Sequence, residues 1–483
     1  MDMAKTGLGR RVLLGLIGPL LSLACGPSEA PRTALPLGAV IDRTGPRATA
    51  SWSQAIRLAA DLANQGLLSS SQYSGMKFEF ALADSASDPT LAVSRGKTLV
   101  RDSGAKALIT DSSEDDIALN MLGYDADAAN DLNVPILCMA CTSPSINNPT
   151  ASSSDAVRQA ALRNSAKWNF RALMNSTPQA TVLLQIATRR TPPSAVPGDS
   201  NGDGKFKVAV YYSTDSFGTG FLQALKTTAA GLSLSPEAIV EELPFDPKLN
   251  PDTYNWSADL GKLTDAVNTT DPDNPVSDGR PDLIIDVAPP QFSAALMRVY
   301  LTGGLSIPFL HTHNFRSTSV LRQLGSELDG QEGTSHVLLD NGESGRVFAS
   351  QLTAAQNGIA PAFEDSHSFD AATVLMLASL IAMQQNGIRD PSLLTGAQIR
   401  DALPKTSDPA GQVIRTGEEE FAKAVNLIAR GEPINYEGAS GPMDFDPNGN
   451  VLNRLAHWKV TSGAFSDLER YDCVAAAQCP LQP

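Results

Sequence analysis

From Leu35 onward, short apolar runs alternate with stretches whose apolar residues recur at helical spacing, the pattern of βαβ units on a largely parallel sheet. Strands are predicted at Leu37–Asp42, Met76–Asp84, Lys106–Thr110, Val134–Ala140, Lys207–Ser213, Ala238–Pro244, Asp282–Ala288 and Ile307–His311. Helical spacing covers Trp52–Asn64, Thr90–Asp102, Ile117–Leu132, Phe221–Leu232 and Phe292–Leu301. One doubly wound sheet rarely holds so many units, so two sheets are expected, each with its ligand crevice beyond the carboxyl ends of its strands. After His336 the rhythm turns helical, with an apolar run at Phe369–Gln385 and a charged amphipathic one at Thr416–Ala429, before a closing strand pair. The Pro-, Gly- and Asp-rich pieces Arg190–Gly204 and Asp271–Pro281 read as surface loops, and no internal repeat is visible.

The amino terminus follows another logic. Lys5, Arg10 and Arg11 precede the apolar run Val12–Ala24, which is too short for a bilayer core of ~30 Å. Residues 1–24 therefore read as a signal peptide, with the small Ala24 before the cut. Leu21-Ser-Leu-Ala-Cys25 resembles the lipobox of bacterial lipoproteins, although Ser22 stands where those proteins have an aliphatic residue. That resemblance implies diacylation of Cys25, a tether over residues 25–34 and a place on the periplasmic face of a bacterial membrane, inner or outer. Two or three acyl chains hold a soluble domain firmly, whereas one binds marginally. The alternative is ordinary secretory cleavage with an incidental Cys25.

The remaining 459 residues leave room for two or three domains. Loss of the signal, with three basic residues and one acidic, takes the formal charge from -15 to -17, which argues against a nucleic-acid partner. With Cys25 lipidated, an even set remains, Cys138, Cys141, Cys473 and Cys479, in a compartment that permits disulfides. Cys473 and Cys479 enclose only five residues, and a local disulfide is expected there.

Taken in order, the segments resemble the type I periplasmic binding proteins, in the leucine/isoleucine/valine-binding branch that serves ABC importers. Gly38-Ala-Val-Ile-Asp-Arg-Thr-Gly-Pro46 resembles that family's first strand and turn, and Ala83-Asp-Ser-Ala-Ser-Asp-Pro89 its second strand and helix start. Pro135-Ile-Leu-Cys-Met-Ala-Cys-Thr-Ser-Pro144 is similar to its ligand-holding strand and loop, and Asn169-Phe-Arg171 to the first crossover between lobes. Asp215-Ser-Phe-Gly-Thr-Gly220, Phe369-Asp-Ala-Ala372 and the Asp-rich segment Tyr436–Gly449 extend the match, which spans nearly all of residues 35–462. The resemblance implies an α/β fold of two Rossmann-like lobes with parallel sheets and a three-crossover hinge. Lobe 1 would comprise residues 35–170 and 334–435, and lobe 2 residues 171–333 and 436–483. It also implies closure around a small polar ligand, an amino acid or amide-like molecule, for delivery to an ABC permease. No enzymatic activity and no cofactor are expected. The same fold with a degenerate cleft would instead serve as a sensor or scaffold.

By this resemblance the ligand's carboxylate meets amides and hydroxyls of Ser112, Ser113, Cys141, Thr142 and Ser143, with Phe217 lining the opposite lobe. These residues are equally suited to turns and helix caps. Two departures stand out. His313 falls where the family has the acid that pairs with a ligand ammonium, and imidazole cannot supply that charge. Glu114, Asp115 and Asp116 place carboxylates where the ligand's own carboxylate would sit, although acids at a helix start also complement its dipole. Both weaken the expectation of a branched-chain amino acid.

Other constellations compete for attention. Asp199, Asn201 and Asp203 match the first ligands of a calcium loop with Gly204 at position six, but position twelve is Val210, and an acidic Gly-rich turn is the better account of the run. Cys138 and Cys141 have redox spacing, yet Cys138 falls within a predicted strand; a buried thiol plus a cleft thiol, or a small local disulfide, is expected. His311 and His313 alternate on a predicted strand and would share a face, where a metal would need one more ligand; strand-end histidines facing a cleft without metal are commoner, and no metal is expected there. The sequence shows no P-loop, no Gly-x-Ser-x-Gly elbow and no His-Glu-x-x-His.

Overall fold

The computed structural model describes residues 32–482 except 46, 124–131, 149–153, 155–156, 160, 162–167, 190–195, 203, 233, 235–238, 265–280, 338–341, 363 and 476. Residues 1–31, with Cys25 and the stretch expected to be a signal peptide, and Asp203 lie outside the described residues. The chain opens with β1 (Thr33–Ile41), α1 (Ala50–Gly66), β2 (Met76–Asp84), α2 (Pro89–Arg101), β3 (Leu108–Thr110), α3 (Ser113–Gly123), β4 (Ile136–Cys138) and β5 (Asn169–Arg171). These strands form one parallel sheet in the order β2-β1-β3-β4-β5. Val40, Thr110, Cys138 and Arg171 align as one row across it, so the segments that follow β1, β3 and β4 emerge side by side.

A second series follows: α4 (Ser176–Arg189), β6 (Val208–Ser213), α5 (Ser216–Gly231), β7 (Ile239–Phe245), α6 (Trp256–Thr264), β8 (Leu283–Val287), α7 (Pro290–Gly303), β9 (Phe309–His311), α8 (Thr318–Leu324) and β10 (Glu332–His336). The chain then runs through α9 (Glu343–Ala355), α10 (Asp365–Gln385), α11 (Gly396–Ala402), β11 (Gln412–Ile414), α12 (Glu418–Ala429) and β12 (Ile434–Tyr436), and ends in β13 (Arg454–Thr461) and β14 (Ala464–Asp472). The second sheet has seven strands in the order β14-β13-β10-β9-β8-β6-β7, with only the β10-β13-β14 edge antiparallel. β11 and β12 form a small separate ladder.

Each large sheet is covered on both faces, which is why its inner strands β6 and β8 are fully buried and mostly apolar, with Asp286 of β8 paired to His311. α1, α10 and α12 pack on one face of the first sheet, and α2 and α3 on the other. α4 and α5 cover one face of the second sheet, and α6, α7 and α8 the other. α10 is long and apolar enough to cross a membrane by length and composition, but here its residues from Asp365 to Met383 are enclosed by the first lobe's core. Within it Asp370 accepts hydrogen bonds from Tyr436 Oη, Ala439 N and both Ser440 N and Oγ, pinning the last crossover to the lobe. Further along that crossover, Gly449 has φ +78°, and a Cβ there would lie 2.5 Å from Asn169 O. Its carbonyl accepts from Arg171 N at 3.0 Å, so the two crossovers are bonded to each other at this glycine.

Cys138 is bonded to Cys141, and Cys473 to Cys479. β9 ends at His311, and His313 starts a short 3₁₀ turn, so the alternation that would place both histidines on one face is broken. His311 is buried against Phe315 and Trp458 and pairs with Asp286, whereas His313 lies beside Phe217 and His336.

Candidate ligand cleft

The carboxyl ends of β1, β3 and β4 deliver Asp42, the Asp111–Ser113 loop and the Cys141–Ser143 loop to one edge of the first sheet. Facing them are the start of α5 and the turn after β9, both from the second lobe. Ser112, Ser113, Cys141, Thr142, Ser143 and His313 are all buried at this seam, and Phe217 is half-buried.

Arg171, the last residue of β5 beside β4, organises the second loop. Its guanidinium is 1 % exposed and donates to the carbonyls of Cys141 (3.2 Å) and Ser143 (3.0 Å) and to Asn147 Oδ1 (3.2 Å). Burial lowers its pKa to about 10, still far above neutrality, so the cation persists. Asp116, 0 % exposed, supplies a nearby opposite charge while burial pushes its own carboxyl up to about 7. The Ser143 amide donates to Ser113 Oγ at 3.1 Å, tying the two loops together, and Ser112 Oγ accepts from Asp115 N, capping α3. Thr142 O accepts from both Ser176 N and Ser176 Oγ at the start of α4.

One turn along α4, Gln179 donates through Nε2 to Thr334 O, an oxygen that can only accept. Its Oε1 therefore faces His313 Nδ1 at 2.8 Å, and His313 carries its proton on Nδ1. Burial holds this imidazole neutral, with its pKa lowered to about 3. Phe217 meets the His313 ring edge-on at 5.6 Å. His336 and His367 continue the cluster, with ring centres 5.1 Å from His313 to His336 and 6.3 Å from His336 to His367.

Across the seam, Glu114 Oε1 of α3 accepts from Ser216 N (3.0 Å), Ser216 Oγ (2.5 Å) and Phe217 N (3.3 Å), so a carboxylate of one lobe caps a helix of the other. The approach is close enough to require Gly220, where a Cβ would lie 2.7 Å from Ser143 Oγ and 3.1 Å from Pro144 Cδ. Arg47 reaches over the same acids, with Nη1 3.7 Å from Glu114 and Nη2 3.6 Å from Asp115. Burial, reinforced by Asp115, pushes Asp111 up to about 7, and burial with Glu114 pushes Asp215 up to about 6.

The remaining sequence candidates fall elsewhere. Asp199 spends its carboxylate on the amides of Gly202 (2.7 Å) and Gly204 (2.8 Å), the bonding of an acidic turn. Asp116 lies beside Cys138 and Cys141, the one metal-competent grouping among the described residues, but the joined sulfurs are not thiolate ligands. Sequence reasoning missed Arg47, Asp111, Arg171, Gln179, His336 and His367. Arg171 had a signal in the Asn169-Phe-Arg171 segment that resembles the first crossover, whereas the histidines meet only through tertiary convergence.

No protein-family model matches the chain, and no curated protein matches it. Solved structures do. A leucine binding protein, LivK, from Thermotoga maritima superposes with a TM-score of 0.61 at 16% identity, covering 90% of this chain and 98% of that one. The branched-chain amino acid transporter substrate binding protein LivJ from Streptococcus pneumoniae, in complex with isoleucine, gives 0.59 at 14% identity over 93% and 100%. An ABC transporter solute binding protein from R. palustris, in complex with benzoate, gives 0.61 at 14% identity over 93% and 98%. The two parallel sheets, the crossovers between them and these superpositions over nearly whole chains establish that this protein has the type I periplasmic binding protein fold.

Proposed function

We propose that the protein is a lipid-anchored, extracytoplasmic solute-binding protein that closes lobe 1 (35–170, 334–435) and lobe 2 (171–333, 436–483) over a small polar molecule and presents it to an ABC permease. The observation that carries this reading is the seam itself: strand ends of both lobes face each other, and Glu114 bonds α3 to the first turn of α5 across it. The neighbours of the same fold include proteins that hold isoleucine and benzoate, which supports binding rather than catalysis as the task. Ser112, Ser113, Cys141, Thr142 and Ser143 would contact the ligand from one lobe, Phe217 and His313 from the other. Anchoring would run through Cys25, and Cys25→Ser should leave the protein soluble or unprocessed; labelled palmitate still entering that variant would refute it. A saturable rise in melting temperature with one small-molecule class tests the binding role, because a ligand of the folded state alone stabilises it.

A second reading, a sensor or scaffold with a degenerate cleft, has one observation in its favour. The Ser143 amide is taken by Ser113, and Phe217 packs on His313, so part of the binding apparatus is satisfied internally. It predicts no small-molecule stabilisation and capture of a protein partner.

A further inference from the structure

The cleft edge carries far more negative than positive charge. Asp42, Asp111, Glu114 and Asp115 of the first lobe and Asp215 of the second converge there, and Arg47 is the cation set among them. Asp42 is occupied by the amides of Gly45 and Arg47 and the hydroxyl of Ser87, and Glu114 by the start of α5. Asp111 and Asp115 differ. Asp111 Oδ2 accepts from Asp42 N at 3.0 Å, but its Oδ1 has no hydrogen-bond partner although the residue is only 4% exposed, and both oxygens of the fully buried Asp115 lack one as well, with Arg47 Nη2 3.6 Å away. Leaving a buried carboxylate oxygen unbonded costs about 1–3 kcal/mol, more when charged, so a donor supplied from outside would find a prepared acceptor. Arg47 does not fill this role. Its Nε and Nη2 are themselves buried without a hydrogen bond, and its ion pairs are long, at 3.6 and 3.7 Å.

Resting on the solute-binding reading, we infer that the cleft selects a small organic cation, one bearing a guanidinium or primary ammonium group, whose charged end donates to Asp111 beside the acids that Arg47 now approaches. Arg47 is then a resident counter-charge, close enough to offset the acids when the cleft is empty and too loosely held to satisfy them. A carboxylate ligand would meet Asp111, Glu114 and Asp115 at short range and be repelled. Asp111 faces Asp42, Asp115, Arg47 and Glu364; burial and then Asp115 push its carboxyl up to about 7, and its protonation opposes cation binding, so affinity rises from pH 6 to pH 8.

The test is calorimetric titration of the full mature chain with agmatine, putrescine, leucine and benzoate. Agmatine or putrescine is expected to bind, at least tenfold more weakly to Asp111→Asn and several-fold more tightly to Arg47→Gln, a gain that misfolding cannot imitate. Binding of leucine or benzoate with neither amine overturns the inference and leaves the solute-binding reading standing. Amine affinity unchanged in both variants overturns it by placing the amine elsewhere. Failure of all four probes, with a screen of other solutes also silent, overturns both.

Discussion

Glu114 and Ser216 lie 102 residues apart and belong to different lobes, yet the Glu114 carboxylate accepts from both the amide and the hydroxyl of Ser216. A helix start leaves amides unsatisfied, and here a side chain of the opposing lobe satisfies them. The seam is thus held by the protein's own anion, near where the resemblance would place a ligand's carboxylate.

Glu114→Ala should therefore weaken closure by about 2 kcal/mol, the scale of a few hydrogen bonds to a charged group. Small-angle scattering is expected to show a larger radius of gyration for the variant. An unchanged radius would mean that other contacts hold the seam.

Arg171→Met should cost roughly 3 kcal/mol, because it leaves Asp116 buried beside no cation and frees the Cys141–Ser143 carbonyls. Urea unfolding of both proteins measures it, and a loss below about 1 kcal/mol would show that the loop is held without Arg171.

Strands were legible wherever sheet pairing and alternation coincide. Met76–Asp84 matches its sequence reading residue for residue, because nine positions pair with β1 along their whole length. The ends of β3, β4 and β9 fell short of their apolar runs, since a strand stops where its neighbours stop pairing, which sequence does not encode locally. β5, β10, β11 and β12 were not anticipated as strands; they are three to five residues long and exist through pairing with distant segments. In the cleft, Ser112 to Thr142 could be placed by motif order. The joining of Ser113 to Ser143, the reach of Arg47 and the His313–His336–His367 cluster depend on segments brought together only by folding.

His367 gives a pH prediction with a definite sign. Burial, followed by the nearby His313, lowers its pKa to about 3, so below about pH 6.5 the unfolded chain binds a proton that the folded protein does not. Its contribution is present above about pH 6.5 and drains toward pH 3, while Asp111 and Asp116, raised to about 7, act with the opposite sign as pH rises through that value. In His367→Gln the carboxylate effects remain and the histidine's is gone. Its stability profile between pH 4 and pH 6 should be shallower on the acid side by about 1.4 kcal/mol per pH unit. Parallel profiles would contradict the assignment.

Replacing Cys473 and Cys479 by serine should cost about 2 kcal/mol, because the closed loop is short and chain-entropy stabilisation grows with loop length. Denaturant unfolding under non-reducing conditions reads this directly. Free thiols at both positions in unreduced peptides would refute the pairing.

Thermal melting of the mature protein against amino acids, amides, amines, aromatic acids, sugars and nucleosides tests the central claim most directly. A ligand at a hundred times its Kd adds about 2.7 kcal/mol to the folded state, a readily measured rise in Tm. The account predicts that one chemical class gives a saturable rise and that Asp111→Asn or Arg47→Gln changes its midpoint; a flat response to every class would contradict solute capture.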